Sequence, residues 1–383
     1  MVVLYVLSVL TVIQAVFSLK DALHAARYLR NSSHPSRQAG NIGRVAVFCP
    51  CKGLDPDLER NIRSILDQDF SNYEVYFIVE SRTDPAYFLL EKIASRQTLV
   101  AGEAVDCGQK VHNLRHAIES VGEDYDTYVF CDSDARYPKY WLSALTAPLS
   151  DGTATVTTGY RWYVADRFQF PTLLRSAWNS SALGLLGDHH RNFAWGGSTA
   201  LSRQTFRRIK VLDAWQGALS DDYAIARAAQ AAGTKIHFVP ECLIPSYGHC
   251  SFSEMLEFTT RQIIITRVYR PRLWQVGLVA QTFFNVTFWC LLLTALVTRS
   301  WIPSLLFLTI YGLSAARSAL RTSAVKSRLH GILRFPWFYV LATPLVSLLY
   351  EYNLIIAGLT RDIEWRQIHY TLISANETRV RRR

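Results

Sequence analysis

The first nineteen residues, MVVLYVLSVLTVIQAVFSL, carry no charge, and about 20 apolar residues are what a helix needs to cross the hydrocarbon core of a bilayer. No basic segment precedes the run and no small-residue cleavage motif follows it, so residues 1–19 read as a retained transmembrane anchor. Lys20, Arg27, Arg30 and Arg37 come next. Basic residues stay on the cytoplasmic side, which predicts an outward N-terminus and a cytosolic segment after it.

Apolar blocks return late in the chain. One runs from Val276 to Val297, ends at Thr298-Arg299-Ser300, and is followed at once by another from Trp301 to about Ala316, the pattern of a hairpin with a very short outer turn. The density of Arg317, Arg321, Lys326, Arg328 and Arg334 places the next stretch inside. A last block, Phe335 to Leu359, is interrupted by Pro344 and Glu351. A crossing there would leave the basic tail Arg379-Val380-Arg381-Arg382-Arg383 outside, so a re-entrant or interfacial segment is favoured. The layout is an anchor at 1–19, a cytosolic domain at 40–270, membrane helices at 276–359 and a basic cytosolic tail at 360–383.

With 383 residues the chain is long enough for one sizeable domain plus these spans. Charged residues make up 19% of it, too many for a protein living wholly in lipid. The formal charge of +10 could signal nucleic acid, but the arginines gather beside apolar runs and in the tail, where a bilayer surface explains them better. Seven scattered cysteines match neither a disulfide framework nor a paired zinc motif and point to a reducing compartment.

Between Arg44 and Phe252 short β-rich runs alternate with helical spacing. Val45 to Cys49, Val75 to Val79 and Tyr128 to Cys131 read as strands. Asp55-Pro56-Asp57-Leu58 reads as a helix start with Asp55 as cap. The alternation predicts an α/β, Rossmann-like and mostly parallel sheet, with ligands at the carboxyl ends of its strands.

Four segments could carry chemistry. Asp132-Ser133-Asp134 closes an apolar strand, and two carboxylates there either share a divalent cation with substrate phosphates or merely cap a turn. Asp221-Asp222 opens a helical run, where the acids either complement the helix dipole or supply a general base. Thr259-Thr260-Arg261-Gln262, with Arg267 and Arg270, either grips a diphosphate or anchors to lipid headgroups. Gly196-Gly197-Ser198-Thr199 either admits a ligand to the backbone or is only a turn. Tyr160-Arg161-Trp162-Tyr163 and Trp178 are candidate acceptor walls or fold core. His189-His190 has no partners at metal spacing.

In order along the chain, the acids near Asp84, DSD at 132–134, GGST at 196–199, DD at 221–222 and Arg261 before apolar spans resemble the membrane-bound family 2 inverting glycosyltransferases. Within them the chain is most similar to the ceramide glucosyltransferases, through Val79-Glu80-Ser81-Arg82-Thr83-Asp84-Pro85-Ala86, Cys131-Asp132-Ser133, Tyr163-Val164-Ala165-Asp166-Arg167, and Ile363-Glu364-Trp365-Arg366 with Tyr370. The likeness extends from about Val45 to Leu372. It implies a GT-A-type domain that moves a hexose, glucose first, from a UDP-sugar to the hydroxyl of a membrane lipid such as ceramide. Asp84, with Glu80 competing, would match the first acid near the nucleotide. Lys110, Asp132 and Arg261 would bind the donor, Asp132 and Asp134 would hold Mg2+ or Mn2+, and Asp222 would be the catalytic base. The acceptor side falls to Trp162, Gly197, Asp221 and Gln262. Phe258 and Gln262 depart from the family's (Q/R)xxRW signature, in which Arg261 keeps the arginine. Other readings are a hopanoid or diacylglycerol acceptor, UDP-N-acetylglucosamine as donor, a processive polysaccharide synthase, or a binding protein without activity.

Overall fold

A computed structural model describes residues 1–31, 42–329 and 331–382. Arg37, Arg383 and the expected domain start at residue 40 lie outside the described residues. The chain divides into two compact units: Met1–Asn31, Val164–Gly187 and His249–Thr360 form one, and Ser32–Tyr163, Asp188–Gly248 and Arg361–Arg383 form the other.

The second unit is built on a seven-stranded sheet: β1 (Val45–Pro50), β2 (Tyr73–Val79), β3 (Thr98–Val100), β4 (Thr127–Cys131), β5 (Val156–Val164), β6 (Ser198–Ser202) and β7 (Ile236–Tyr247), in the order β3-β2-β1-β4-β6-β5-β7. Strands β3, β2, β1 and β4 are parallel, whereas β6 runs antiparallel to β4 and β5. The three strands expected from their apolar runs are present as β1, β2 and β4. Their near-continuous hydrophobicity follows from helices covering both faces. Val47, Cys49, Phe77 and Val129 pack in one core cluster, and Phe48, Ile78 and Phe130 in the other. Each such aromatic, removed from water, contributes roughly 1.5–3 kcal/mol. The first helix starts two residues later than its sequence suggests: it covers Leu58–Leu66, and Asp57 precedes it without a side-chain cap bond. Asp55 is instead committed to an ion pair described below.

The chain order reverses between β1 and β4, and in doubly wound sheets the ligand crevice lies at that reversal, past the carboxyl ends of the strands. Asp132 directly follows β4.

Residues 362–381, expected to belong to a basic tail, fold as an antiparallel three-stranded sheet in the same unit: β8 (Asp362–Trp365), β9 (Ile368–Ser374) and β10 (Glu377–Arg381). Ile363, Ile368, Tyr370 and Leu372 are buried, the alternation of a strand with one face inward.

In the other unit, helix Val2–Asn31 contains the uncharged N-terminal run and Pro271–Thr298 contains the second apolar block. Both are long and apolar enough to cross a membrane. Trp301–Arg328 follows after only Arg299-Ser300, and it continues as one helix past Arg317, Arg321 and Lys326 and ends at Arg328, short of Arg334. The last block is broken at Ala342, two residues before Pro344, into Pro336–Leu341 and Thr343–Leu359. Glu351 on the longer piece accepts a hydrogen bond from Thr282 Oγ1 at 2.6 Å, which offsets part of the cost of a carboxylate among apolar helices.

Candidate active site

Asp132 and Asp134 leave the end of β4 and are neutralised from two directions. Lys110, at the start of helix Gln109–Val121, donates to Asp132 Oδ1 at 2.7 Å and lies 3.1 Å from Asp221 Oδ1. Arg161, on β5, donates from Nη2 to Asp132 Oδ2 at 2.7 Å and to Asp134 Oδ1 at 2.5 Å, and from Nη1 to Asp134 Oδ2 at 2.8 Å. Its guanidinium also lies over the Trp195 ring, 5.2 Å from the centroid. Burial alone would raise the Asp132 carboxyl, but Lys110 and Arg161 outweigh it and hold the group below its usual value. Burial likewise opposes the charge on Lys110, and Asp132, Asp221 and Asp222 reverse that sign, keeping the ammonium well above its usual range.

The antiparallel pairing of β6 with β4 sets Ser198 opposite Cys131, so the Gly196-Gly197 turn is beside the DSD end. Tyr137 fastens the two, its hydroxyl accepting from Asp132 N–H at 2.9 Å and donating to Gly197 O at 2.7 Å. Neither glycine has room for a side chain. A Cβ on Gly196 would come within 2.2 Å of Asp221 Oδ2 and 2.7 Å of Lys110 Nζ, and one on Gly197 within 2.6 Å of Asp132 Oδ2.

Ser220 caps helix Asp221–Ala231. Asp222 is held by three neutral donors: Gly196 N–H at 3.2 Å, Tyr223 N–H at 2.7 Å and the Ser220 hydroxyl. Asp221 is 3% exposed, and its Oδ2 has no hydrogen-bond partner among the described residues. Burial pushes its carboxyl up to about 6, with Lys110 pulling the other way and Asp222 and Asp132 adding to the rise.

Lys110, Asp132, Asp134, Gly197, Asp221 and Asp222 therefore meet in one place. Asp84 is in the same unit, past β2, where its Oδ1 accepts from Ala86 N–H and Gly53 N–H, each at 2.9 Å. Its neighbour Glu80 is paired with Lys52 and Arg382. Trp162 is 1% exposed, in the fold interior. Arg261 and Gln262 belong to the helical unit, on Phe252–Tyr269, where Arg261 pairs with Glu257 at 3.2 Å and lies over the Phe258 ring. Phe258, which replaces the signature's leading polar residue, thus packs against the retained arginine. Sequence reasoning gave Arg161 no charge role. Its signal was the one cation inside the otherwise uncharged strand VTTGYRWYV.

Hard carboxylate oxygens suit Mg2+ or Mn2+, which commonly takes one or two carboxylates and completes its shell with substrate phosphates. Asp132 and Asp134 fit that role in ligand type. Their four oxygens all accept from Lys110 or Arg161, so a cation bound there would compete with the Arg161 fork for the same carboxylates. Among the described residues no cluster of three or more His, Cys, Asp or Glu side chains is assembled for a metal.

Set beside known proteins, residues 3–378 match the sequence profile of glycosyl transferase family 21. The chain belongs to that family. It is a glycosyltransferase, and its DSD, GGST and DD segments are the parts of it that the sheet gathers. Ceramide glucosyltransferase 3 of Caenorhabditis elegans is 22% identical over 348 residues, 87% of this chain and 73% of the relative. A processive diacylglycerol beta-glycosyltransferase of Mycoplasma pneumoniae is 27% identical over 95 residues, 24% of this chain and 28% of that one. Among solved structures, a mannosyltransferase of Pyrobaculum calidifontis in complex with GDP-Man and Mn2+ aligns over 91% of this chain and 99% of its own, at 14% identity and a TM-score of 0.48.

Proposed function

We propose that this glycosyltransferase moves a hexose, glucose in the first instance, from a UDP-sugar to the hydroxyl of a membrane lipid, with ceramide as the leading acceptor and the sheet unit in the cytosol. The observation that carries the reading is the meeting of Asp132, Asp134, Asp221 and Asp222 with Lys110 and Arg161 at the carboxyl end of the sheet. The acceptor reading is supported by two helices long enough to cross a bilayer and by the ceramide glucosyltransferase relative. The cytosolic reading is supported by the basic residues after the first span and by cysteines left as free thiols.

In this reading Asp222 takes the proton of the acceptor hydroxyl as that oxygen bonds to the anomeric carbon. The bond from carbon to the diphosphate oxygen breaks on the opposite face, and configuration inverts. Three neutral donors keep the Asp222 carboxylate oriented for that step. The negative charge leaving with UDP is met by Lys110 and by Arg161. A divalent cation held by Asp132 and Asp134 would add Lewis-acid neutralisation of the same charge. Asp84 and Arg261 are assigned to the donor, and Gly197, Asp221 and Gln262 to the acceptor side; the buried Trp162 is not kept as an acceptor wall.

The partial match to a diacylglycerol glycosyltransferase keeps that lipid as a second acceptor reading. Membranes carrying the chain, incubated with radiolabelled UDP-glucose, UDP-galactose or UDP-N-acetylglucosamine and a panel of ceramide, diacylglycerol and hopanoid, separate these. Labelled glucosylceramide that is absent with Asp222→Asn is the expected result. Label in a water-soluble product of high mass would turn the reading toward a polysaccharide synthase. Label in no lipid from any donor would overturn it.

A further inference from the structure

The turn between β8 and β9 consists of two residues, Arg366 and Gln367, since Trp365 pairs with Ile368. Both have positive φ, 53° and 65°. Two-residue hairpin turns of this kind favour Asn-Gly or glycine, because a long side chain in the left-handed region is strained. Strain of this sort persists where the surrounding structure enforces it, and it gathers at functional sites.

What enforces it is visible. Arg366 Nη2 donates to both oxygens of Asp55, at 2.9 and 2.8 Å, across 311 positions of sequence. Gln109 N–H donates to the Tyr370 hydroxyl at 3.3 Å. Arg382 pairs with Glu80 and donates to Gln109 Oε1. Asp55 and Glu80 follow β1 and β2, and Gln109 opens the helix that carries Lys110, so all three attachments are on the edge where the doubly wound sheet takes its ligand. Asp55 holds most of the charge on Arg366, and Asp134 and Arg161 lie within electrostatic reach of it, with opposite effects.

Charge supplies the second argument. Four aspartates face two cations in the site, and a nucleoside diphosphate would add about two to three negative charges. Binding it calls for further donors. Arg366 has them, because Nε and Nη1 make no hydrogen bond among the described residues while Nη2 is held by Asp55.

We propose that Arg366 is a donor-binding residue: the C-terminal sheet carries it on a strained turn so that its guanidinium fork contacts the diphosphate of the bound nucleotide. The inference rests on the nucleotide-sugar reading above and adds a contact from an element outside the seven-stranded sheet.

The test is UDP binding to the full-length protein in detergent, with Mn2+, by isothermal titration. Arg366→Gln is expected to raise the UDP Kd at least tenfold. Arg366→Gly is expected to bind UDP as poorly while melting at the same temperature as wild type or higher, because glycine relieves the positive φ. Asp55→Asn separates contact from scaffolding: UDP affinity within threefold of wild type supports a direct role for Arg366. A loss equal to that of Arg366→Gln means the ion pair only holds the sheet in place and overturns the proposal. So does UDP binding within twofold of wild type in both Arg366 variants. If wild type transfers sugar yet these variants bind normally, the inference alone falls; if wild type does not bind UDP, the nucleotide reading falls with it.

Discussion

Two pairs of aspartates occupy the candidate site, and their surroundings differ. In the pair at 132 and 134 every carboxylate oxygen accepts from a cation, Lys110 or Arg161. In the pair at 221 and 222 one oxygen is 3.1 Å from Lys110, Asp222 is held by neutral donors only, and Asp221 Oδ2 has no partner among the described residues. The same residue type is thus prepared for two tasks. In the proposed reading the first pair is a charged cradle in which a divalent cation could take the place of Arg161, and the second pair handles the proton. Environments that push neighbouring carboxylates apart are how one fold assigns different roles to chemically identical groups.

The largest expected effect breaks the second pair. Asp222→Asn removes the proposed base and should lower kcat by about 10^2- to 10^4-fold. UDP affinity should stay within twofold, read by isothermal titration; an equal loss in both would make Asp222 a binding group instead.

Next comes the first pair. Arg161→Gln strips Asp132 and Asp134 of their shared partner; Asp132 keeps Lys110 and Asp134 is partly exposed, so the loss of charge-assisted hydrogen bonds should cost about 1.5–3 kcal/mol. Thermal denaturation should show that loss, and saturating Mn2+ should return much of it by taking the vacated oxygens. A variant that melts early with and without Mn2+ would remove Asp132 and Asp134 as metal ligands.

Asp221 sharpens the contrast through pH. Its folded value near 6 lies above that of an unfolded aspartate, so the folded protein binds the proton more tightly between about pH 4 and 6. Stability therefore falls as pH rises through that window and stays at the lower level above it, by up to about 3 kcal/mol. Asp221→Asn should flatten the dependence, measured as melting temperature from pH 4 to 8. A slope unchanged in the variant would assign the titration to another group.

The smallest effect tests the spacing between the pairs. Gly196→Ala places a methyl against Asp221 and Lys110 and should destabilise by about 1–3 kcal/mol. An alanine variant as stable as wild type would mean that the two pairs have more room than 2.2 Å implies.

Much of the sheet unit could be read from local pattern. Buried parallel strands are apolar throughout, so β1, β2 and β4 stand out, and the Ser220 cap is a local signal. The aspartates were found because they follow strands or open a helix. Arg161 was missed as a charge partner because nothing within its own strand calls for a cation. The carboxylates it serves are 27 and 29 positions away. The C-terminal sheet was missed for the same reason on a larger scale: a run rich in arginine looks solvated until Glu80, 302 positions earlier, is seen to pair with Arg382. The break at Ala342 lay close to its proline signal. The split of the sheet unit into three stretches of chain has no local signature, because it follows from where the apolar helices interrupt the sequence.

That interleaving bears on how the protein is made. Strands β8–β10 are translated after the apolar helices, so a nascent chain already holds all four aspartates while it still lacks Arg366, Tyr370 and Arg382. A chain that stops before Arg361 leaves Asp55 without Arg366 and Glu80 with Lys52 in place of two cations, so the last twenty-odd residues complete the charge balance at the carboxyl edge of the sheet.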